Sequence, residues 1–336
     1  MGQGMAAGEG GGKPLAVIVA GPTCSGKSAL ASVLARRLGG MIINADAMQT
    51  YCELRVLTAR PTMAEEAAWP HALYGVRAAA DAGSAAWWRG AALAAMERAA
   101  GRGLVPILCG GTGLYFSALR AGLAEIPAPG MEARAEARGL LQDIGAAALH
   151  ARLTVADPAT AARLRPTDGQ RVARAWEVWR GTGRGLAAWQ AGPAQPPAPW
   201  QFRAVRLDPP RAELRRAIEA RFAAMLEDGA VEEVRGLMEL GLNPSLPLMR
   251  AHGVPELMAW LRGEITERDA AARAIANTAA YTKRQATWFR HHSLAEEGCA
   301  RVINARIASP EQLSESEIAD MKNFLLKPVD AVQHRP

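Results

Sequence analysis

The chain lacks the residue patterns of disulfide-rich, zinc-binding and membrane-spanning proteins. Only 4 of its 336 residues are cysteine. Cys24, Cys52, Cys109 and Cys299 stand far apart and form no C-x-x-C pair, so we predict neither a disulfide framework nor a structural zinc site. No apolar run approaches the ~20 residues that a membrane span requires, which excludes an integral membrane protein.

The N-terminal segment lacks the features of a secretory signal. Residues 1–14 are rich in glycine and have no cationic region followed by an apolar stretch, so we predict a disordered tail. Ala6 occupies the position where a myristoylation signal requires Ser or Thr. Apolar residues make up 49% of the chain and charged residues 21%, enough for a sizeable core. With no heptad pattern in view, we expect a soluble, cytoplasmic monomer.

Acidic residues are missing from a long segment near the C-terminal end. The whole chain carries 39 Lys and Arg against 33 Asp and Glu, a net charge of +6. Residues 271–295, however, contain Arg273, Lys283, Arg284 and Arg290 without any Asp or Glu. Such a stretch is usually a solvated helix face. The alternative is a surface that contacts a polyanion such as a nucleic acid.

Short apolar runs alternate with helical patterns in the first third of the chain. Residues 15–20, 41–45 and 104–109 resemble strands that are buried on both faces. Residues 29–38 and 91–100 have the apolar spacing of helices. This alternation predicts an α/β fold, in which a parallel sheet is flanked by helices.

The pattern changes after Gly122. Helical periodicity continues to about residue 190, a proline-rich linker follows at 191–199, and a strand pattern resumes at 202–207. We therefore predict an all-helical insertion within the α/β core. The predicted division is a core of residues 15–120 and 199–310 with a helical C-terminal part, an insertion of residues 121–198, and tails of residues 1–14 and 311–336.

A phosphate-binding motif follows the first predicted strand. The segment GPTCSGKS matches G-x-x-x-x-G-K-[ST] in full and lies between a buried strand and an amphipathic helix, as such a loop requires. Its backbone N–H groups would cradle phosphate oxygens, Lys27 would reach a diphosphate, and the Ser28 hydroxyl would bind Mg²⁺. We therefore predict a P-loop NTPase-like core. The loop consists of Gly21, Pro22, Thr23, Cys24, Ser25, Gly26, Lys27 and Ser28.

A Walker-B carboxylate is absent where a nucleotide kinase would carry one. The strand at 104–109 is followed by Gly-Gly-Thr, and the carboxylate stands instead at Asp46, after the second strand. Because the carboxyl ends of neighbouring parallel strands meet at one crevice, we expect Asp46, the phosphate loop and residues 110–115 to line one pocket. The other interpretation of Asp46 is an N-cap for the helix that follows.

Several further segments, taken together, resemble the tRNA dimethylallyltransferases, also called tRNA isopentenyltransferases or the IPP transferase family. The resemblance covers about residues 15–292. The segments are GPTCSGKSALA (21–31), NADAMQTY (44–51), TARP (58–61), GGTGLYFSAL (110–119), DGQRVARAWEV (168–178), IEARF (218–222), RAHGV (250–254) and YTKRQATWFR (281–290). Their order and spacing are more specific than the phosphate loop alone.

The resemblance implies transfer of the dimethylallyl group from dimethylallyl diphosphate to N6 of the adenosine immediately 3′ of the anticodon in tRNA. It implies that Asp46 accepts the N6 proton as a general base. The loop amides, Lys27, Ser28-bound Mg²⁺ and Arg221 would stabilise the leaving diphosphate, and Thr23 would contribute a hydroxyl. Cys24 is interpreted as a spacer, since the reaction needs no covalent enzyme intermediate.

The resemblance also implies contacts with the anticodon stem-loop of tRNA. The target base must leave its stack before a buried pocket can reach N6. Lys283, Arg284 and Arg290 would meet backbone phosphates. We interpret Trp176 and Trp179 as core residues. The other residues placed against RNA are Asp46, Ala47, Met48, Gln49, Thr112, Arg134, Gln170, Arg171, Val172, Ala173 and Arg174.

Two positions depart from the family pattern. Ala47 replaces the usual Ser after the catalytic Asp, which removes a hydroxyl near the base. The usual Gly-Thr-Ala-Lys segment reads Leu-Thr-Ala-Arg at residues 57–60, so its backbone is expected to differ locally. Neither change removes a phosphate ligand or the proposed base.

Three other functions share some of these features. An adenylate isopentenyltransferase has the loop and the carboxylate but needs no large insertion to hold a mononucleotide. A small-molecule P-loop kinase is disfavoured by the missing Walker-B carboxylate. A non-catalytic RNA-binding protein with a vestigial loop is disfavoured because Lys27, Ser28 and Asp46 are all present.

Overall fold

The structure, a computed structural model, describes residues 13–327. In chain order its strands are β1 (Leu15–Ala20), β2 (Gly40–Asn44), β3 (His71–Ala72), β4 (Val105–Gly110), β5 (Leu123–Ala124), β6 (Ala194–Gln195), β7 (Gln201–Leu207) and β8 (Ala300–Ile303). Its α-helices are α1 (Lys27–Leu38), α2 (Met63–Ala68), α3 (Ala85–Gly101), α4 (Gly113–Arg120), α5 (Met131–Ala156), α6 (Pro158–Ala161), α7 (Gly169–Thr182), α8 (Leu186–Gln190), α9 (Arg211–Glu227), α10 (Ala230–Glu239), α11 (Val254–Leu261), α12 (Glu267–His291) and α13 (Glu315–Leu326).

These residues form two compact units. The core unit comprises residues 13–120 and 198–327, and the helical unit comprises residues 121–197. Within the described part of the chain, no helix combines the length and the apolar character that crossing a membrane requires.

The core unit is built on a six-stranded parallel sheet of order β3-β2-β4-β1-β7-β8. β1 lies in the middle, where Val17 is level with Ile107 of β4 and with Arg203 of β7. Since the strands are parallel, the carboxyl ends of β1, β2 and β4 meet at one edge of the sheet. The phosphate loop, the Asp46 loop and the Gly-Gly-Thr loop all begin at that edge.

Alternate residues of β1 enter two different hydrophobic clusters. Ile18 packs with Trp88 of α3 and Phe116 of α4. Val17 and Val19 pack with residues of α1 and α13. Successive side chains of a strand point to opposite faces, so both faces of the sheet are covered by helices. The predicted α/β, P-loop NTPase-like architecture is confirmed.

The predicted elements of the core lie close to the observed ones. The helix predicted at 91–100 is the C-terminal part of α3, which begins earlier because the Ser84 hydroxyl accepts the N–H of Trp87 as an N-cap. The strand predictions that agree within one residue at each end are 15–20, 41–45, 104–109 and 202–207.

The interpretation of residues 311–336 as a tail is wrong for the described part of that segment. There, α13 begins with a capping box in which Ser314 and Glu317 each accept a backbone N–H of the other. Its apolar side chains Ile318, Met321 and Leu325 are buried, and Met321 and Leu325 pack with residues of the sheet. Residues 328–336 lie outside the described residues, as do residues 1–12, where we predicted disorder.

The helical unit has its own core, formed mainly between α5 and α7. Trp176 is buried there and its ring lies 5.1 Å from that of Trp179, which agrees with the core interpretation. α5 is interrupted at Gly145, where φ is +77°. The unit is not purely helical, since Leu123 of β5 pairs with Gln195 of β6. This short antiparallel pair satisfies backbone groups where the chain enters and leaves the unit.

Candidate active site

The phosphate loop connects β1 to α1 through two left-handed residues. Cys24 has φ +65° and Gly26 has φ +92°. The tight path also depends on Gly21, because a Cβ there would lie 2.7 Å from the Ser25 hydroxyl. α1 then begins at Lys27 without a side-chain cap. Its first N–H groups are therefore available to an anion, which the helix dipole favours.

A cavity of about 1140 Å³ adjoins this loop in the core unit. Its walls come from the loop, from α1, from α9 and from residues 306–312. Lys27 and the exposed Ser28 open onto it, as the motif predicts. Such a concentration of cationic side chains suits a polyphosphate ligand. The basic side chains of the lining are Lys27, Arg36, Arg60, Arg216, Arg221 and Arg306.

Arg221 reaches the phosphate loop from α9. Its Nη1 lies 3.6 Å from the Sγ of Cys24, and the side chain lines the cavity. Since α9 also carries Arg216 on the same cavity wall, the helix presents two cations to one site. The structure thus places Arg221 beside the loop, where the sequence resemblance expected a leaving-group contact.

Asp46 is held by the residue at the end of β2. The Asn44 carboxamide oxygen accepts the Asp46 N–H at 2.8 Å, and its Nδ2 donates to the Asp46 carbonyl at 2.9 Å. The carboxylate Oδ1 accepts the N–H of Met48, the first residue of the 3₁₀ turn Met48–Thr50, at 3.0 Å. The N-cap of that turn is Ala47, with no side-chain cap, so the interpretation of Asp46 as an N-cap is wrong. Among residues 13–327, no hydrogen bond to Oδ2 is present, so that oxygen is available as a hydrogen-bond acceptor.

Glycines bring the end of β4 against the Asp46 loop. A Cβ on Gly110 would lie 2.1 Å from the Ala45 carbonyl oxygen, so only glycine permits this approach. Thr112, which follows, donates its N–H to Ala45 at 3.1 Å, and its Oγ1 accepts the N–H of Ala47 at 3.0 Å. Thr112 therefore positions the loop that carries Asp46.

Gln285 is a central residue of the site that sequence reasoning did not identify. Its Oε1 accepts the Thr23 N–H at 2.9 Å and lies 3.3 Å from the Thr23 hydroxyl, while its Nε2 donates to the Gly111 carbonyl at 3.0 Å. The side chain is only 4% exposed. The overlooked signal was a glutamine on the mainly apolar face of α12, together with Ala286 and Phe289.

The negative charge of Asp46 affects the pKa values of neighbouring side chains. Burial raises the pKa of Tyr115 and of Tyr281, and the negative charge of Asp46 raises both further. Burial raises the pKa of the Cys109 thiol to about 11, with Lys27 acting in the opposite direction and Asp46 in the same one. Cys109 therefore lies near enough to Lys27 and to Asp46 for both charges to act on its thiol. Its thiol remains protonated at neutral pH.

The variant segment at residues 57–60 is held by Gln49. The Gln49 Nε2 donates to the carbonyls of Thr58 and Ala59 at 2.9 and 2.7 Å. Ala59 adopts φ +49°, a left-handed conformation for a non-glycine residue. Arg60 then lines the cavity, and burial lowers its pKa. The amide donors of Gln49, predicted to face RNA, are therefore engaged within the protein.

The predicted RNA contacts on α7 divide into exposed and buried residues. Gln170 and Arg171 are exposed near the helix start, and Arg174 pairs with Glu177 one turn further on. The Val172 side chain is fully buried in the helical unit, so its predicted contact with RNA is wrong. Ala173, 9% exposed, is likewise part of that core. The reason is the helical period of 3.6 residues, which turns these two side chains inward. Arg134 lies half-buried on α5 of the same unit.

Only some of the basic residues of α12 are exposed without an ion-pair partner among the described residues. Lys283 and Arg284 are exposed, and the Arg284 guanidinium lies 5.5 Å from the ring of Tyr281. Arg290 forms a two-pronged ion pair with Asp208, with N–O distances of 3.1 and 3.0 Å. That pairing opposes the predicted phosphate contact of Arg290. Two further residues predicted to contact RNA, Ala47 and Met48, pack partly into the hydrophobic clusters. No cluster of metal-ligating side chains is found between residues 13 and 327.

The fold and the site together define an α/β protein with a phosphate loop after β1 and a carboxylate after β2. Two family models match the chain: "IPP transferase" over residues 49–292 and "Isopentenyl transferase" over residues 15–69. The chain belongs to the IPP transferase family.

Relatives cover nearly the whole chain. A tRNA dimethylallyltransferase of Granulibacter bethesdensis is 61% identical over 310 residues, which is 92% of this chain and 97% of the relative. The enzyme of the same name from Gluconobacter oxydans is 57% identical over 316 residues, 94% of this chain and 95% of the relative.

Solved structures share the fold. The tRNA isopentenylpyrophosphate transferase of Bacillus halodurans superposes with a TM-score of 0.64 at 29% identity, covering 93% of this chain and 95% of its own. A eukaryotic dimethylallyltransferase described as acting on tRNA has a TM-score of 0.74 at 23% identity, with 96% of this chain and 82% of its own covered. The second likeness concerns the fold alone.

Proposed function

We propose that the protein is a tRNA dimethylallyltransferase. It transfers the dimethylallyl group from dimethylallyl diphosphate to N6 of the adenosine immediately 3′ of the anticodon, and it releases diphosphate. The observation that carries this proposal is the Asp46 carboxylate with one oxygen free, on the same sheet edge as a complete phosphate loop. The names of the full-length relatives support the same reaction.

The reaction exchanges one bond for another. The bond between the allylic carbon and the diphosphate oxygen breaks, and a bond between that carbon and N6 forms. The adenine amino group is a weak nucleophile because its lone pair is delocalised into the ring. We assign Asp46 Oδ2 as the base that accepts the N6 proton, a role worth about 10²–10⁴-fold in rate. Thr23, held by Gln285, contributes its hydroxyl beside the reacting groups.

The residues around the phosphate loop would stabilise the leaving diphosphate. Negative charge accumulates on the diphosphate as the carbon–oxygen bond breaks, so donors that are already in place lower the barrier. We assign this role to the loop N–H groups, Lys27 and Arg221, all of which border the cationic cavity. Cys24 remains a spacer, since its part is to carry the loop through a left-handed turn.

The donor set beside the loop fits Mg²⁺. Mg²⁺ prefers hard oxygen ligands and commonly keeps waters while binding substrate phosphates, so it does not need a cage of carboxylates. Ser28 offers a hydroxyl oxygen, exposed at the cavity, in the first turn of α1. We assign Ser28 as the protein ligand. When bound, the ion would neutralise part of the diphosphate charge.

We assign the contacts with RNA to basic and polar residues that are exposed or half-buried. On the helical unit these are Arg134, Gln170, Arg171 and Arg174, of which Gln170 and Arg174 share one helix face. On the core unit, Lys283 and Arg284 are exposed on α12. Contacts of this kind with backbone phosphates supply affinity that falls with salt. We expect the protein to act as a monomer in the cytoplasm.

An alkylation assay tests the proposal and separates it from its alternatives. Purified protein is incubated with dimethylallyl diphosphate, Mg²⁺ and either bulk tRNA or AMP, and digested products are analysed by mass spectrometry. We expect one C5 unit on adenosine from tRNA only, and none with the Asp46→Asn variant. Addition to AMP alone would favour the adenylate isopentenyltransferase. ATP turnover with a small-molecule acceptor, without alkylation, would favour the kinase.

A further inference from the structure

The C-terminal segment after β8 runs along the outer side of the phosphate loop. We call residues 303–312 the C-terminal strap. The Ile307 N–H donates to the Ser25 carbonyl at 3.1 Å, and Arg306 Nε donates to the Cys24 carbonyl at 3.0 Å. Both acceptors belong to the loop that would cradle the diphosphate. The strap lies beyond residue 292, where the match to the IPP transferase family model ends.

The contact between strap and loop is close. A Cβ on Gly26 would lie 1.7 Å from the Ile307 carbonyl oxygen, so only glycine leaves room for the strap. In the proposed function the N–H groups of the phosphate loop bind the phosphate. The carbonyl groups of the loop point away from it and need hydrogen-bond donors from another part of the chain. The strap supplies two such donors, at consecutive carbonyls, and thereby holds the peptide groups of the loop in one orientation.

The strap itself is braced around Arg306. The side chain of Gln312 bridges it, since Nε2 donates to the Arg306 carbonyl at 3.0 Å and Oε1 accepts the Ala308 N–H at 2.7 Å. These bonds fix the backbone from which the guanidinium projects. They also keep Arg306 half-buried beside the loop and not extended into solvent.

The Nη groups of Arg306 are available as hydrogen-bond donors at the cavity. It lines the same cavity as Lys27 and Arg221. Its Nε is used by Cys24, but among residues 13–327 no carboxylate forms an ion pair with it, and its Nη groups make no hydrogen bond there. A guanidinium held by one nitrogen, with two others unpaired at a cationic cavity, is suited to a phosphate oxygen.

We propose that Arg306 binds the diphosphate of the donor substrate from outside the phosphate loop. This inference rests on the proposed function and adds a binding residue to it. The residue acts in two ways: Nε holds the Cys24 peptide in place, and the remaining guanidinium nitrogens add positive charge at the position of the leaving group. Loss of the charge should therefore weaken binding of the diphosphate and leave binding of tRNA unchanged.

Three variants of the full chain test the proposal. Arg306→Gln removes the charge but keeps an amide donor, whereas Arg306→Lys keeps the charge but loses the planar fork. Arg301→Gln is the matched control: Arg301 lies in the same C-terminal part, pairs with Asp320 and does not line the cavity. Binding of inorganic diphosphate is measured by calorimetry at two salt concentrations, with the KM for tRNA and the Tm alongside.

We expect Arg306→Gln to weaken diphosphate binding about tenfold and to reduce its salt dependence, since a charge-assisted contact is lost. Arg306→Lys should stay within about threefold of the wild type because the positive charge remains. Arg301→Gln should bind as the wild type does.

Two results would overturn the proposal. One is unchanged diphosphate affinity in Arg306→Gln. The other is equal loss in Arg306→Lys and Arg306→Gln, with a lower Tm and a higher KM for tRNA, which would reduce Arg306 to a structural brace. Because calorimetry needs no turnover, a wild-type protein that binds diphosphate without alkylating tRNA would contradict the proposed function alone.

Discussion

The side-chain oxygen of Gln285 accepts the backbone N–H of Thr23 at 2.9 Å, although the two residues are 262 positions apart in the chain. The Gln285 Nε2 simultaneously donates to Gly111. One buried amide thus ties the phosphate loop to the loop after β4. Because an amide has both a donor and an acceptor, it can link an N–H and a carbonyl that an apolar or purely acidic side chain could not.

Replacing Gln285 should impair both stability and catalysis. Gln285→Ala leaves the Thr23 N–H and the Gly111 carbonyl without their partner, which we expect to cost about 1–3 kcal/mol in the free energy of unfolding. A loosened Thr23 should also lower kcat/KM by on the order of tenfold. Urea unfolding and steady-state kinetics measure the two effects. The matched control is Thr287→Ala, since that exposed hydroxyl on the same helix bonds only to the Lys283 carbonyl. Equal behaviour of the two variants would contradict the role of Gln285.

Asp46→Asn should separate the proposed general-base role of Asp46 from its hydrogen bond to the Met48 N–H. An Asn side-chain oxygen can still accept the Met48 N–H, so folding should be nearly unchanged, but the group can no longer take up a proton. We expect turnover to fall by about 10²-fold or more, with diphosphate binding nearly intact. Single-turnover alkylation and calorimetry measure these quantities. Wild-type turnover in Asp46→Asn would remove the general-base assignment.

Gly26→Ala should destabilise the phosphate loop by more than the cost of placing alanine at a positive φ. Gly39 is the matched control, because it also has positive φ (+62°) but would place a Cβ in open space. We expect Gly39→Ala to lose about 1–2 kcal/mol of stability, the cost of a left-handed alanine. Gly26→Ala, with the Ile307 carbonyl in the way, should lose more and should bind diphosphate poorly. Thermal unfolding and calorimetry compare the pair, and equal losses would mean that the strap moves aside freely.

Arg174→Ala should act on tRNA and not on the donor substrate. Removing one phosphate contact should weaken tRNA binding and lower the slope of log K against log[salt] by about 0.7–0.9. The exposed Arg163 of the same unit, which we assign no RNA contact, provides the control variant Arg163→Ala. Filter binding at several salt concentrations checks the prediction. If the KM for dimethylallyl diphosphate rises instead, Arg174 does not act through RNA.

Local patterns were sufficient for much of the fold. The apolar run of β1 and the glycine-rich motif after it predicted a buried strand and a phosphate loop because both depend on neighbours in the sequence. The pattern after residue 310 was less informative, and α13 was taken for a tail. The capping box at Ser314 was a local signal that sequence reasoning passed over.

The errors in the site have a common physical origin. Val172 lies within a motif shared with the family, but its direction depends on the phase of α7 against α5, which places it in the core. Arg290 was expected to contact a backbone phosphate of RNA, yet Asp208, distant in sequence, forms an ion pair with it. Motif matching assigns a residue to a segment, whereas exposure and pairing depend on what packs against it.

The amino-acid sequence by itself determined the alternation of strands and helices in the first third of the chain, the phosphate loop and the presence of a carboxylate after β2. These follow from side-chain periodicity and backbone freedom within a few residues. The tertiary structure alone decided that Gln285 joins two loops and that the strap with Arg306 packs against the phosphate loop. Such relationships join residues hundreds of positions apart, and only the packing of the sheet and its helices brings them within hydrogen-bonding distance.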